Sequence, residues 1–352
     1  MSDRIKVGIS IGDIAGVGPE IIMKTFMDDR MYKFFTPVLY GNSKVISFYR
    51  KQLNIEKIQY NVVKSIDNLN HHSLNIIQTW EDEVEIIPGR PSSTTGKCAF
   101  NALEAATNAL IKGEVDVLVT APINKNFIHS EEFPFSGHTH YLQQKFEDDD
   151  VLMFMVSENL KVGLVTEHVP LKDVQPLITQ ESILKKLNLM NNSLIKDYGI
   201  DKPKIAVLGL NPHAGDNGLI GEEDKDIIFP TVKLARSQGI MAFGPYPADG
   251  FFAHDAYRKF DAILAMYHDQ GLIPFKSLKL GNGVNYSAGL KYVRTSPDHG
   301  TAEDIAGKDL ADPASFREAI FTALDIFKNR QDHQDRNANP LPKYVQLKDE
   351  DH

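Results

Sequence analysis

The stretch "DAILAMYHDQGLIPFK", Asp261 to Lys276, decides how the rest of the chain is read. Its apolar run, Ala262 to Tyr267, has the length and composition of a buried strand. The run stops at His268-Asp269-Gln270-Gly271 and resumes as an apolar segment ending in Lys276. Polar chemistry at the end of a buried strand is the arrangement of an open α/β sheet, which binds ligands beyond its strand ends. Further candidate strands lie at 5–11, 36–41, 115–120, 151–157, 161–166 and 204–210. Between them, 97–113 and 181–195 space apolar residues at three and four, as amphipathic helices do. Strand followed by helix, repeated, predicts a mostly parallel, doubly wound α/β sheet.

The chain has 352 residues, 38 Lys and Arg against 47 Asp and Glu, and a formal net charge of −9. An acidic balance without a basic block argues against a nucleic-acid or anionic-membrane surface. No apolar run approaches the roughly 20 residues of a membrane helix. The opening "MSDRIKVGISIGD" is broken by charge and glycine, unlike a signal peptide. Cys98 is the only cysteine, which excludes an intrachain disulfide and thiolate clusters and fits a reducing compartment. A cytoplasmic protein is expected. From about Asn329 the chain turns polar and proline-broken, and a disordered tail is expected over 331–352.

Three histidines follow apolar runs: His168 in "GLVTEHVPL", His213 in "AVLGLNPHAGDNG" and His268 in "ILAMYHDQG". Each alone reads as a hydrogen-bonded core residue. Parallel strands share one C-terminal edge, however, and three imidazoles gathered there make a divalent metal site with open positions. Asp269 and Asn211 are placed to orient the rings. Later in the chain, Lys276, Asn285 and Arg294 suggest an anionic ligand, with solvated surface charge as the plain alternative. His138 and Thr139 in "FSGHTHYL" stand where a turn enters a helix, a position suited to anions.

The glycine-rich "GISIGDIAGVGPEII" reads as strand, turn and helix, with Pro19 and Glu20 in the first helical turn. Its Gly12-x-x-x-Gly16-x-Gly18 spacing and its Asp13 do not make a dinucleotide fingerprint. "DHGTAEDIAGK" (298–308) is the better nucleotide candidate, with glycines for close backbone approach and "TAED" as a capping box opening a helix, and a plain structural turn as the equal alternative.

Taken together, "GDIAGVGPE", "TAPINK", "GHTHYL", "NPHAGDNGLIGEED", "GPYPADGFF", "YHDQGLIPFK" and "GVNYSAGLKYVRTSPDHGTAEDIAGK" resemble, in order, the signatures of the 4-hydroxythreonine-4-phosphate dehydrogenase family. The resemblance runs from about residue 4 to about residue 330. It implies an isocitrate/isopropylmalate dehydrogenase-like α/β fold, two α/β/α subdomains with a cleft between them. The expected division is 1–130 with 280–330 on the nucleotide side, and 131–279 carrying metal, substrate and dimer contacts. The implied reaction is oxidation of 4-phosphooxy-L-threonine, a small phosphorylated hydroxy amino acid, by NAD or NADP. Decarboxylation to 3-amino-2-oxopropyl phosphate would follow, in pyridoxine biosynthesis.

The same resemblance implies one divalent metal (Zn, Co, Mn or Mg) on His168, His213 and His268, in an active site shared across a homodimer. It further implies substrate contacts from His138, Thr139, Lys276, Asn285 and Arg294, and a cofactor loop with His299, Gly300, Thr301, Ala302 and Asp304. Asp249 and Lys276 are the candidates for the catalytic base, with Asp249 favoured. The chain departs from the family pattern at Ile14, where proline is usual, and at Gly250, where threonine is usual; the second lies beside the candidate base. Two alternatives share the motifs or the histidines: a dehydrogenase of 4-phospho-D-threonate or 4-phospho-D-erythronate, and a metal-dependent hydrolase of a phosphorylated metabolite.

Overall fold

A computed structural model describes residues 4–55 and 58–339. The strands are β1 (Lys6–Ser10), β2 (Thr36–Gly41), β3 (Tyr60–Val63), β4 (Leu74–Gln78), β5 (Val117–Thr120) and β6 (Leu152–Val156). They continue with β7 (Lys161–Leu164), β8 (Lys204–Leu208), β9 (Met241–Tyr246), β10 (Ala262–Ala265), β11 (Val284–Ala288) and β12 (Arg294–Pro297). All join one sheet in the order β3-β4-β2-β1-β5-β12-β11-β6-β7-β10-β8-β9. The α/β architecture expected from strand and helix alternation is present. All seven expected strands occur, with either end trimmed by at most two residues. The two expected helices occur at Ser93–Ile111 and Gln180–Lys196, each opened by a capping box, from Ser92 with Thr95 and from Thr179 with Ser182.

The sheet is not parallel throughout. β3, β4, β2, β1, β5 and β12 run together, and β7, β10, β8 and β9 run together. Between the two blocks, β11 is antiparallel to both β12 and β6, and β6 is antiparallel to β7. The C-terminal ends of the two blocks therefore point to opposite edges. A ligand touching both must lie across the face of the central strands. Strand alternation puts Met153 and Met155 of β6, Asn285 and Ser287 of β11, and Arg294 and Ser296 of β12 on one such face.

The sheet is thus mostly parallel, as expected, while two other expectations are corrected. "TAED" does not open a helix: residues 303–309 form successive turns, and the next helix begins at Ala314. Ala302 and Asp309 have φ of 43° and 62°, and the Thr301 hydroxyl donates to the Glu303 carboxylate at 2.6 Å, so the sequence box makes no cap. The C-terminal helix runs Ala314–Ala338, so the first part of the expected tail is helical. Its inner face is anchored by Phe316, Ala319, Ile320 and Ala323, all fully buried, and by an Arg330–Asp197 ion pair at 2.6 Å. The rest of that tail, from Pro340, lies outside the described residues. Among the described residues, no helix is long and apolar enough to cross a membrane.

Candidate active site

Each residue of His268-Asp269-Gln270-Gly271 has a distinct task at the end of β10. His268 opens the His268–Leu278 helix and lines a cleft of about 280 Å³. Asp269 Oδ1 lies 2.7 Å from His268 Nδ1 and holds the ring. The Gln270 amide accepts from Met266 N at 2.7 Å and donates to Gly209 O at 2.6 Å, pinning the end of β10 to the end of β8. A Cβ on Gly271 would meet Leu164 Cδ2 at 2.8 Å and Val162 Cγ1 at 2.9 Å, so only glycine lets the helix lie this close to β7.

His168, after β7, also lines the cleft, and its ring centroid is 5.5 Å from that of His268. The residue is exposed overall and forms part of the cleft wall. Desolvation, reinforced by Lys125, His268 and His140, brings its pKa down to about 4. His213 does not join this pair within the chain. It follows β8, the neighbour of β10, but is exposed and absent from the cleft lining. Residues His213 to Asn217 are all left-handed, with φ between 41° and 75°. That turn is braced by Asp224, which accepts from Leu210 N at 2.8 Å and Asn211 N at 3.0 Å. Asn211 donates to Glu223 at 2.8 Å and to Asp224 at 3.0 Å, so it braces the loop and orients no ring. Among the described residues, no group of three or more His, Cys, Asp or Glu gathers closely enough to hold a metal ion. The two cleft imidazoles do fit as donors. His168 is neutral at ordinary pH, and His268 has Nδ1 engaged by a carboxylate, as metal-bound histidines commonly do.

The other wall is built for an anion. Arg294 is 2% exposed, with no carboxylate partner among the described residues. Its Nη2 and Nε donate to Thr120 Oγ1 at 2.6 and 3.2 Å and its Nη1 to Ser287 Oγ at 3.0 Å. Burial lowers its pKa to about 9. An unpaired buried guanidinium is costly unless a ligand completes it. His138, Thr139, Lys125, Lys276 and Asn285 line the same cleft. His138 Nε2 and Asn285 Oδ1 are buried with no hydrogen-bond partner among the described residues. Burial, and then the charges of Arg294 and Lys125, push the His138 pKa well down. His138 and Thr139 begin the His138–Phe146 helix, whose N-cap Gly137 has no capping side chain, so its first N–H groups face an incoming anion.

Residues 33–323 match the family described as "Pyridoxal phosphate biosynthetic protein PdxA". The chain belongs to the PdxA family. A 4-hydroxythreonine-4-phosphate dehydrogenase of Bacteroides thetaiotaomicron is 46% identical over 350 residues, 99% of this chain and 96% of that protein. The crystal structure of the enzyme of that name from Klebsiella pneumoniae superposes with a TM-score of 0.79 at 32% identity, covering 93% of this chain and 98% of that one. A protein of Oceanobacillus iheyensis provisionally named a D-threonate 4-phosphate dehydrogenase is 36% identical over 93% of this chain and 99% of its own length.

In this PdxA-family chain the expected cofactor loop divides. His299 and Gly300 line the cleft, and a Cβ on Gly300 would meet nothing within 4 Å, which leaves room for a ligand against the backbone. Thr301 is buried, and its carbonyl accepts from Val17 N at 3.0 Å. Ala302 and the exposed Asp304 continue the turn away from the cleft lining. The "GDIAGVGPE" motif is the scaffold of this loop. A Cβ on Gly16 would strike Thr301 O at 2.9 Å, and fully buried Glu20 accepts from Gly307 N at 3.2 Å and Ala311 N at 3.0 Å. Ile14, at the first departure from the family pattern, is fully buried in the core.

Of the two candidate bases, Lys276 lines the cleft and Asp249 does not. Asp249 is exposed on the Ala248–Ala253 helix beyond β9, the edge strand. At Gly250 an added Cβ would meet only His254 Nδ1 at 3.9 Å, so the second departure leaves open space rather than a packing defect. Sequence reasoning did not single out two cleft residues, Lys125 and Glu167. Lys125 closes "TAPINK" after β5, and Glu167 precedes His168 after β7; both occupy the strand-end position that betrayed the histidines.

Proposed function

We propose that this protein oxidises 4-phosphooxy-L-threonine at its secondary hydroxyl, with NAD or NADP as acceptor, and then releases the carboxylate as carbon dioxide. The product is 3-amino-2-oxopropyl phosphate, a precursor for pyridoxal phosphate. The observation that carries this reading is the buried Arg294, without an acidic partner among the described residues, in a cleft shared with His168 and His268 of a PdxA-family chain. Arg294, His138, Thr139 and the free N–H groups of the His138–Phe146 helix hold the phosphate, and Lys125 adds charge from the segment after β5. Oxidation sends the carbinol hydrogen to the nicotinamide as hydride and the hydroxyl proton to a base. Loss of carbon dioxide then leaves an electron pair that the new ketone absorbs. Lys276, on the same helix as His268, is the cleft group placed to move a proton. His299 and Gly300, the part of the loop that lines the cleft, lie against the dinucleotide. A divalent ion on His168 and His268, when bound, supplies Lewis acidity at the substrate oxygen.

His213 and Asp249 reach a cleft in this reading only from a second copy. Their exposure supports a homodimer with a shared site, as do the exposed Leu219, 82% accessible, and Phe229, 44% accessible, beyond His213. The residues 131–279 would form the half that carries this contact, in a cytoplasmic enzyme. Sedimentation should give a dimer, and an active monomer would refute the shared site.

The deciding measurement follows NADH formation with 4-phosphooxy-L-threonine, a divalent metal and either dinucleotide, alongside release of carbon dioxide. Free phosphate without NADH would establish a hydrolase instead. The Oceanobacillus relative supports a second reading, oxidation of a 4-phosphorylated hydroxy acid such as D-threonate or D-erythronate. A kcat/KM that strongly favours the hydroxy acid over the amino acid would establish that reading in place of the first.

A further inference from the structure

We propose that Glu167 recognises the substrate's ammonium group and sets the preference for an amino acid over a hydroxy acid. This rests on the proposed function above. Among the described residues, the carboxylates lining the cleft are Glu167 and Asp298. Asp298 is already engaged by Lys279 and by the Ser315 hydroxyl at 3.1 Å. Glu167 has no cation within ion-pair distance among those residues, and its one hydrogen bond is a long one of 3.3 Å from Met153 N. Its backbone position is fixed, because Thr166 donates to Met266 O both from its hydroxyl, at 2.7 Å, and from its N–H, at 3.2 Å. The half-buried carboxylate stands next to His168 in a cleft that Arg294, Lys125 and Lys276 also line.

A phosphorylated hydroxy amino acid carries two anionic groups and one cation. The anionic groups match the three basic side chains, and the ammonium needs one unpaired acid in the wall. Glu167 meets that need. A hydroxy acid would offer the same carboxylate only a neutral hydroxyl, a weaker partner by the difference between charge-assisted and neutral hydrogen bonds.

The test compares kcat/KM for 4-phosphooxy-L-threonine and 4-phospho-D-threonate in the wild type, Glu167→Gln and Glu167→Asp. Calorimetric binding of both acids without dinucleotide, and the melting temperature of each variant, accompany the kinetics. Glu167→Gln should lose about 10- to 100-fold in kcat/KM and affinity for the amino acid while the hydroxy acid is unchanged or improved, and Glu167→Asp should recover part of the loss. An unchanged substrate ratio in Glu167→Gln, or an equal fall for both acids, overturns the role while leaving the proposed function intact. A wild type that oxidises only the hydroxy acid, or neither acid, overturns the proposed function and this role together.

Discussion

Arg294 shows how a single residue encodes readiness for a ligand. Its guanidinium is desolvated and held by two hydroxyls, so the ligand-free fold carries an uncompensated charge. Arg294→Met should leave the ligand-free protein at least as stable, while raising KM for the phosphorylated substrate by about 100-fold or more. Thermal unfolding without ligand, set beside steady-state kinetics, checks both parts; a large loss of stability would show that the charge is structural. The histidines give a pH dependence. His138 and His168 are held neutral in the fold, with pKa values below the ordinary 6.5. The unfolded chain therefore binds more protons once the pH drops below about 6.5, and stability falls with acidification towards about 4, the folded value of His168. Glutamine at 138 should flatten that fall by up to about 1.4 kcal/mol per pH unit, as read from urea unfolding at several pH values. The residue types were legible in the sequence, because imidazoles and cations after apolar runs are visible as such. Burial was not: nothing in "YVRTSP" distinguishes Arg294 from a solvated arginine, and only the packing of β5, β11 and β12 around it does.

The His268–Leu278 helix shows how an element positions chemistry. Gly271 lets it lie on β7, Gln270 ties its start to the β8 loop, and His268 and Lys276 consequently face the same cleft. Gly271→Ala should cost about 1–3 kcal/mol, since the new methyl has no room beside Leu164 and Val162, and should lower kcat by displacing both side chains. Denaturant unfolding and turnover measure the two effects; full stability and activity would mean that the helix can shift at no cost. Elements were legible where a run was long and apolar, as in β2, which has the expected bounds of 36–41. β11 and β12 were not recognised, because "VNYSA" and "RTSP" carry polar residues whose partners are distant in sequence: Tyr286 donates to Asp197, Arg294 to Thr120 and Thr295 to Ala319 O. "TAED" misled for a related reason: Glu303 takes the Thr301 hydroxyl and an Asn124 amide hydrogen at 2.7 Å, partners that a local pattern cannot foresee.

At the scale of the whole molecule, the C-terminal helix locks onto the sheet through a buried polar cluster. Asp197, 2% exposed, accepts from Arg330 Nε at 2.6 Å, from Tyr286 OH at 2.6 Å and from Ser193 Oγ at 2.6 Å. Arg330→Ala strands that carboxylate and should destabilise the protein by about 3–5 kcal/mol, with the melting temperature as readout. A drop below about 1 kcal/mol would show that water reaches Asp197 and replaces the guanidinium.

The sequence by itself determined the α/β class, the strand-end histidines and the motifs that place the chain in the PdxA family, because these depend on periodicity and residue type along the chain. Only the tertiary structure decided that the sheet reverses direction at β11 and β6, that the cleft lies across that reversal, and that His168 and His268 meet while His213 and Asp249 stay outside. Strand direction and cleft membership depend on which distant segments pair and bury one another. The same cause turns an unremarkable arginine into a charge that awaits an anion.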